Sequence, residues 1–294
     1  MTFNDNANIS GGKVSRRGRN TGIAIGGGGL GVIVLFVLSQ FLGVDLTGLA
    51  AGTAPQQDSG TTSAIENCDT GAQANANVDC RMKGAAASLD VFWSSALPPL
   101  GAEYHSPTDL ALFTDSAGTG CGTASSATGP FYCPPDETIY IDTAFFDELS
   151  SRFGSNGGPL AEMYVVAHEW GHHIQNITGI LERSQDGQTG AGSNAVRVEL
   201  QADCFAGAWV AAASQTKDES GVPFLKAITQ QQMQDALSAA SAVGDDRIQE
   251  ATQGQVNPEG WTHGSSEQRQ GWFMTGHDQG AAACNTFAPD DSQL

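Results

Sequence analysis

Residues 165–179 read VVAHEWGHHIQNITG, placing two histidines four apart with a glutamate directly after the first. On a helix, residues four apart share one face about a turn apart. His168 and His172 can then offer imidazole nitrogens to one ion at about 2.0–2.1 Å. Glu169 sits about 100° further round, where a carboxylate can reach a metal-held water without binding the metal itself. The apolar residues around the motif continue the helical pattern over 161–178, and Gly179 is positioned to stop it. Gly171 costs roughly 1 kcal/mol in mid-helix relative to Ala, which points to another backbone packed closely there. His173 is one position too late to share the ligand face and reads as a packing or supporting residue.

Two histidines leave a zinc site one ligand short. Residues 195–214 form a second helical pattern containing R-V-E-L-Q-A-D, with Glu199 and Asp203 again four apart. Two unpaired carboxylates would be costly to bury in so apolar a helix, and a metal removes that cost. Glu199 then completes a His2Glu set, and Asp203 holds the tautomer of a ligand imidazole.

Farther out, SLDVFWSSAL (88–97) is a helix ended by PPLG. TIYIDTAFFDELSSRFG (138–154) starts as a strand and passes into a helix for which Thr143 is the candidate cap. A further helix is expected over 223–243, with Pro223 at its start. In the block 261–277, Ser265 and Gln268 match a capping box at the head of a last helix. The fold class expected is α+β, mostly helical, with a small sheet.

Of 294 residues, 13 are basic and 32 acidic, for a net charge of −19. Lys13, Arg16, Arg17 and Arg19 lie in the first twenty, leaving 9 basic and 31 acidic residues beyond them. Such a surface excludes nucleic acid as a partner, because phosphate contacts need basic patches. Thr21–Val44 carries no charge, and its 24 residues could span about 36 Å as a helix, enough to cross a bilayer. With the basic cluster before it, the positive-inside rule puts the N-terminus in the cytoplasm and the rest outside. The expected organisation is a cytoplasmic tail (1–20), a single transmembrane anchor (21–44), a linker (45–66), a metal-binding domain (67–284) and a C-terminal tail (285–294). All six cysteines follow the anchor, as an oxidising compartment would produce. Cys68–Cys80 and Cys121–Cys133 read as local staples, leaving Cys204–Cys284 to tie the chain's end to a helix.

H-E-W-G-H-H-I-Q, E-L-Q-A-D-C-F-A-G-A-W and C-G-T-A…G-P-F-Y-C-P…I-Y-I-D together resemble the neutral zinc metallopeptidases of bacteria, the YpfJ-like proteins. The resemblance runs from Cys121 to Gly276 and takes in the N-terminal apolar stretch. Glu199 with Asp203, and T-H-x-S-x-x-x-R at Thr262, His263, Ser265 and Arg269, are also similar to the membrane peptidases of the CAAX-protease and heat-shock class. There a proline stands where this chain has Gly264. The resemblance implies a zincin-like fold, Zn2+ on His168, His172 and Glu199, and peptide hydrolysis by a zinc-bound water that Glu169 deprotonates. A zincin edge strand aligns the substrate, and Tyr140-Ile141-Asp142 is the candidate, with a buried core strand the other reading of the same stretch. His263 is the candidate oxyanion donor, with Arg269 supporting it or the substrate backbone. The partners expected are a peptide or protein substrate and, through 21–44, a membrane. Two other readings share these residues: an inactive zincin-fold binding module of the cell envelope, and a zinc amidase or esterase acting on small substrates. His105 and His277 are expected to be ordinary surface residues.

Overall fold

The computed structural model describes residues 2–18 and 62–294. The stretch 21–44 read as an anchor lies outside them, as does most of the expected linker. Among the described residues no helix is long and apolar enough to cross a membrane. The described chain is mixed α+β, helix-rich, with a small sheet.

Among the described residues seven strands form two sheets. They are β1 (Val14–Arg17), β2 (Thr62–Ala64), β3 (Asp109–Phe113), β4 (Ser116–Thr119), β5 (Gly122–Ser125), β6 (Phe131–Cys133) and β7 (Thr138–Asp142). The main sheet runs in the order β2-β1-β3-β7-β6, with β4 and β5 forming a separate ribbon. The central pairs β1–β3 and β3–β7 are parallel, and β2 and β6 are antiparallel edges. This corrects the reading of Tyr140-Ile141-Asp142 as an edge. β7 is paired on both sides and buried along its whole length, which its near-continuous apolar run reflects. The edge beside it is β6.

Nine helices complete the described fold: α1 (Gly71–Ala76), α2 (Val78–Ala96), α3 (Phe145–Ser151), α4 (Pro159–Ile177), α5 (Ile180–Arg183), α6 (Asn194–Ala212), α7 (Gln230–Ala242), α8 (Asp245–Gln253) and α9 (Ser266–Gln279). Gly179, at φ 69°, follows the end of α4 as expected, while the helix opens two residues before the expected 161, at Pro159. Ser265 and Gln268 form the capping box of α9. Thr143 caps nothing; the N–H of Ala144 donates instead to the Asp142 carboxylate at 2.9 Å.

Close contacts bind α4, α6 and α9, and glycines allow them. A Cβ on Gly171 of α4 would lie 2.9 Å from the Ala202 Cα of α6. On Gly207 of α6 it would lie 1.9 Å from the Phe273 carbonyl oxygen of α9, and on Gly276 of α9 1.8 Å from that of Cys204. Both obstacles are backbone and cannot swing aside. Gly207→Ala should therefore destabilise the fold by about 1–3 kcal/mol, the cost typical of overpacking. The midpoint of urea unfolding would report it, and an unchanged midpoint would show that the helices slide apart at no cost.

The N-terminal residues depart most from expectation. Residues 2–18 are part of the folded domain, not a tail separate from it. Phe3, Ala7 and Ile9 are fully buried, and β1 sits inside the sheet. The missing side chains of Gly71 and Gly84 leave room for the Asn4 carbonyl and the Phe3 ring. The Asn75 carboxamide oxygen accepts from the N–H of Thr2 and of Phe3, both at 3.0 Å, and Asp218 accepts from that of Asn8 at 2.7 Å. Burying Phe3 and Ile9 contributes about 1.5–3 kcal/mol each. The same packing delays the helix expected from Pro223. The backbone of 224–226 bonds instead to Thr2, Asn4 and Thr216, and α7 begins only at Gln230, capped by Thr229 and Gln232.

The three disulfides are Cys68–Cys80, Cys121–Cys133 and Cys204–Cys284, as the spacing suggested. Beyond Cys284 the domain continues where a tail was expected. Thr286 is buried, and Arg197 of α6 donates to the Thr286 and Pro289 carbonyls and pairs with Asp291 at 2.6 Å.

Candidate metal centre

α4 and α6, held at glycine distance, bring their ligand-type side chains face to face. One ligand atom each from His168, His172 and Glu199 lies within 4.8 Å of the others. Glu199 Oε2 is 3.1 Å from His168 Nε2, and its Oε1 is 3.5 Å from His172 Nε2. Among the described residues this is the group of three or more metal-type side chains close enough to hold one ion.

What lies behind the imidazoles decides whether their Nε2 atoms can bind a metal. His168 Nδ1–H donates to Asp203 at 2.9 Å, and His172 Nδ1–H donates to the Gln175 carboxamide oxygen at 2.8 Å. With the protons assigned this way, both Nε2 lone pairs face Glu199, the arrangement found behind metal-ligating histidines. The Gln175 amide is fixed in turn, donating to the Val198 carbonyl at 2.7 Å and to Gln201 at 3.1 Å. Gln175 escaped the sequence reading. The signal was a buried amide three positions after a ligand histidine, on the same face of an apolar helix.

Asp203 is fully buried and lies in a charged cluster with no free face. Tyr164 O–H donates to it at 2.5 Å, and Arg269 lies 2.9 Å from its second oxygen. Tyr164 was also missed; it stands one turn before His168. Arg269 is only 2% exposed, enclosed behind His168. The structure therefore places it against Asp203 and not at an open face of the site, where a catalytic role was expected of it.

The electrostatics suit a cation. Burial alone would lower the pKa of His168, but Asp203 and Glu199 outweigh it and push it up to about 10. Burial alone would raise that of Glu199, but His172, His168 and His263 outweigh it and hold it well below the usual carboxylate range. For Asp203, Arg269 and His168 outweigh burial in the same direction. A field that holds a proton on the His168 imidazole is one in which a dication can replace it. Glu169 is different. It is 6% exposed, and burial raises its pKa despite the nearby histidines. It is the carboxylate here shifted toward accepting a proton.

His263 approaches from the turn between α8 and α9, its side chain 42% exposed. Asp245, the first residue of α8, organises this turn. One of its oxygens accepts from the N–H groups of Thr262, His263 and Gly264 at 2.8, 2.7 and 3.1 Å. The other lies 3.3 Å from His263 Nδ1. Burial alone would lower the His263 pKa, but Asp245 and Glu199 together raise it. Gly264 has φ 88°, which proline cannot adopt, so the T-H-P-S pattern could not build this turn. Asp245 had no sequence signal, since helix N-termini commonly carry aspartates.

The other histidines lie outside the centre. His173 is buried; its Nε2–H donates to the His105 carbonyl at 2.8 Å, and its Nδ1 accepts from Tyr132 O–H at 3.1 Å. His105 pairs with Glu137, and His277 with Asp278. Tyr132 belongs to the edge strand β6, so its bonds to His173 and Asn176 fix that edge against α4.

The family described as "Putative neutral zinc metallopeptidase" matches this chain over residues 2–287. YpfJ of Escherichia coli K12, an uncharacterised protein, is 38% identical over 96% of this chain and 94% of its own length. The chain belongs to that family. An uncharacterised protein of Mycobacterium tuberculosis H37Rv is 53% identical over 77% of this chain and 76% of its own, and one from Mycobacterium bovis is equally similar. No solved structure matches. Membership of the zinc metallopeptidase family accords with the His2Glu donor set. The match reaching back to residue 2 accords with the N-terminal segment being part of the domain.

Proposed function

We propose that this protein is a zinc-dependent peptidase that works outside the cytoplasm, with His168, His172 and Glu199 holding the ion. The observation that carries this is the convergence of two tautomer-fixed imidazoles and Glu199, with Glu169 beside them. The donors fit zinc: two imidazole nitrogens and one carboxylate, one short of a tetrahedral set. A zinc ion there would act as a Lewis acid on a carbonyl and would lower the pKa of water toward 7.

The chain's own residues then divide the work. Glu169 takes the proton from the attacking water and returns it to the leaving amine. Its burial favours both steps, since a carboxylate short of solvation holds a proton more readily. His263, steadied by Asp245, donates to the oxygen that becomes negative as the carbonyl turns tetrahedral. Asp203, with Arg269 and Tyr164 behind it, keeps His168 in the binding tautomer. β6 is the free edge along which an extended peptide can add as a strand. The three disulfides support an oxidising compartment.

The test uses the full chain, because residues 2–18 belong to the domain. Metal content by elemental mass spectrometry should give one zinc per wild-type chain and little in Glu199→Ala, and the wild type should cleave members of a peptide library. Zinc retained in full by Glu199→Ala would overturn the ligand set. A zinc-loaded wild type that cleaves small amides or esters but no peptide would overturn the substrate class.

A further inference from the structure

The positive-inside reading and the fold make opposite statements about where residues 2–18 lie. The sequence rule counts Lys13, Arg16, Arg17 and Arg19 as charges that keep the N-terminus in the cytoplasm while the rest is exported. The structure gives two of these charges other work. Arg16 pairs with Asp79 at the head of α2, at 2.6 Å. Arg17 donates to the Gly118 carbonyl at 2.8 Å, and its guanidinium lies 4.8 Å from the centre of the Tyr140 ring. All three partners lie in 62–294.

The backbone is more decisive than the charges. Val14, Ser15 and Arg16 pair in parallel with Leu110, Ala111 and Leu112, and Ser15, Arg16 and Arg17 pair in antiparallel with Ala64, Ser63 and Thr62. Paired strands lie about 4.8 Å apart. The hydrocarbon core of a bilayer is about 30 Å thick, so no such ladder can form across it. Removing β1 would part β2 from β3 and leave β3 without a neighbour on that side, in a sheet whose other half supports the face of α4.

We infer that residues 2–18 lie on the same side of the membrane as residues 62–294, so that the N-terminus accompanies the metal-binding domain. A single crossing between the two is then excluded, whatever contact the apolar stretch makes with lipid. The inference does not depend on the peptidase activity.

The cysteines make it directly testable. All six are in disulfides, so one added cysteine is the single free thiol of the folded chain. Gly11 is exposed with open space at its Cβ, and Lys13 and Glu219 are exposed. The full chain carrying Gly11→Cys, Lys13→Cys or Glu219→Cys would be produced in bacterial cells and treated with a membrane-impermeant maleimide before and after permeabilisation. The expected result is that Gly11→Cys and Lys13→Cys label under the same condition as Glu219→Cys. Labelling of Glu219→Cys in intact cells, with both N-terminal variants labelled only after permeabilisation, would overturn the inference and restore the positive-inside topology. The paired N-terminal sites keep the outcome clear if one substitution disturbs its own turn.

Discussion

Glu169→Gln should lower kcat by about 10²–10⁴-fold, the range for losing a general base, while the zinc content stays at the wild-type level. Glutamine keeps the shape of the side chain, and it cannot accept a proton. It also removes a buried carboxylate that no close cation fully offsets, so the variant should be at least as stable as the parent. The combination is diagnostic: metal retained, fold retained, chemistry lost. Peptide cleavage by Glu169→Gln at the parent's rate would show that the base lies elsewhere. Loss of zinc would show that Glu169 is a ligand.

Arg269→Met should destabilise the protein by about 3–5 kcal/mol, the cost of stranding one member of a buried ion pair. Asp203 is fully buried, and burial would raise its pKa were it not for Arg269 and His168. Without Arg269 the carboxylate must either protonate or attract water. Either outcome loosens its hold on His168, so zinc affinity should fall about 10–100-fold, as when other outer partners of metal ligands are lost. Arg269→Lys should recover only part of this, because an ammonium cannot reach both Asp203 oxygens and Tyr164 together. Chemical denaturation and competitive zinc titration would measure the two effects. A variant with normal stability and normal zinc affinity would return Arg269 to the catalytic role first expected of it.

The convergence of the candidate ligands was legible in the sequence because helical periodicity is short-ranged. Four-residue spacing placed His168 with His172 and Glu199 with Asp203, and the expense of burying carboxylates joined the two pairs. What supports them was less legible for a physical reason. Gln175 and Tyr164 resemble any polar residue in a helix, and Asp245 any helix-opening aspartate, until the partner element is in place. Arg269 was visible, but its depth was not. The apolar run of β7 allowed a buried strand as well as an edge, and only the pairing with β3 and β6 decides between them. The N-terminal segment misled for a similar reason. Phe3, Ala7 and Ile9 are too few among asparagines and glycines to look like a core, and their burial depends on glycines at 71 and 84.

The partnership of Arg17 with Thr62 has a practical side. These two residues face each other across an antiparallel pair, the position at which a two-residue Asn-Gly turn joins strands in a hairpin. Residues 18–61 could therefore be excised and replaced by that dipeptide with no change of register. The product would keep β1, the buried phenylalanine and the whole candidate metal centre, and would lose the entire uncharged stretch 21–44. A shortened chain that merely starts after the apolar stretch would discard a sheet strand along with it. For anyone making this protein in quantity, the useful cut lies in the middle of the chain's first quarter, with both of its ends retained.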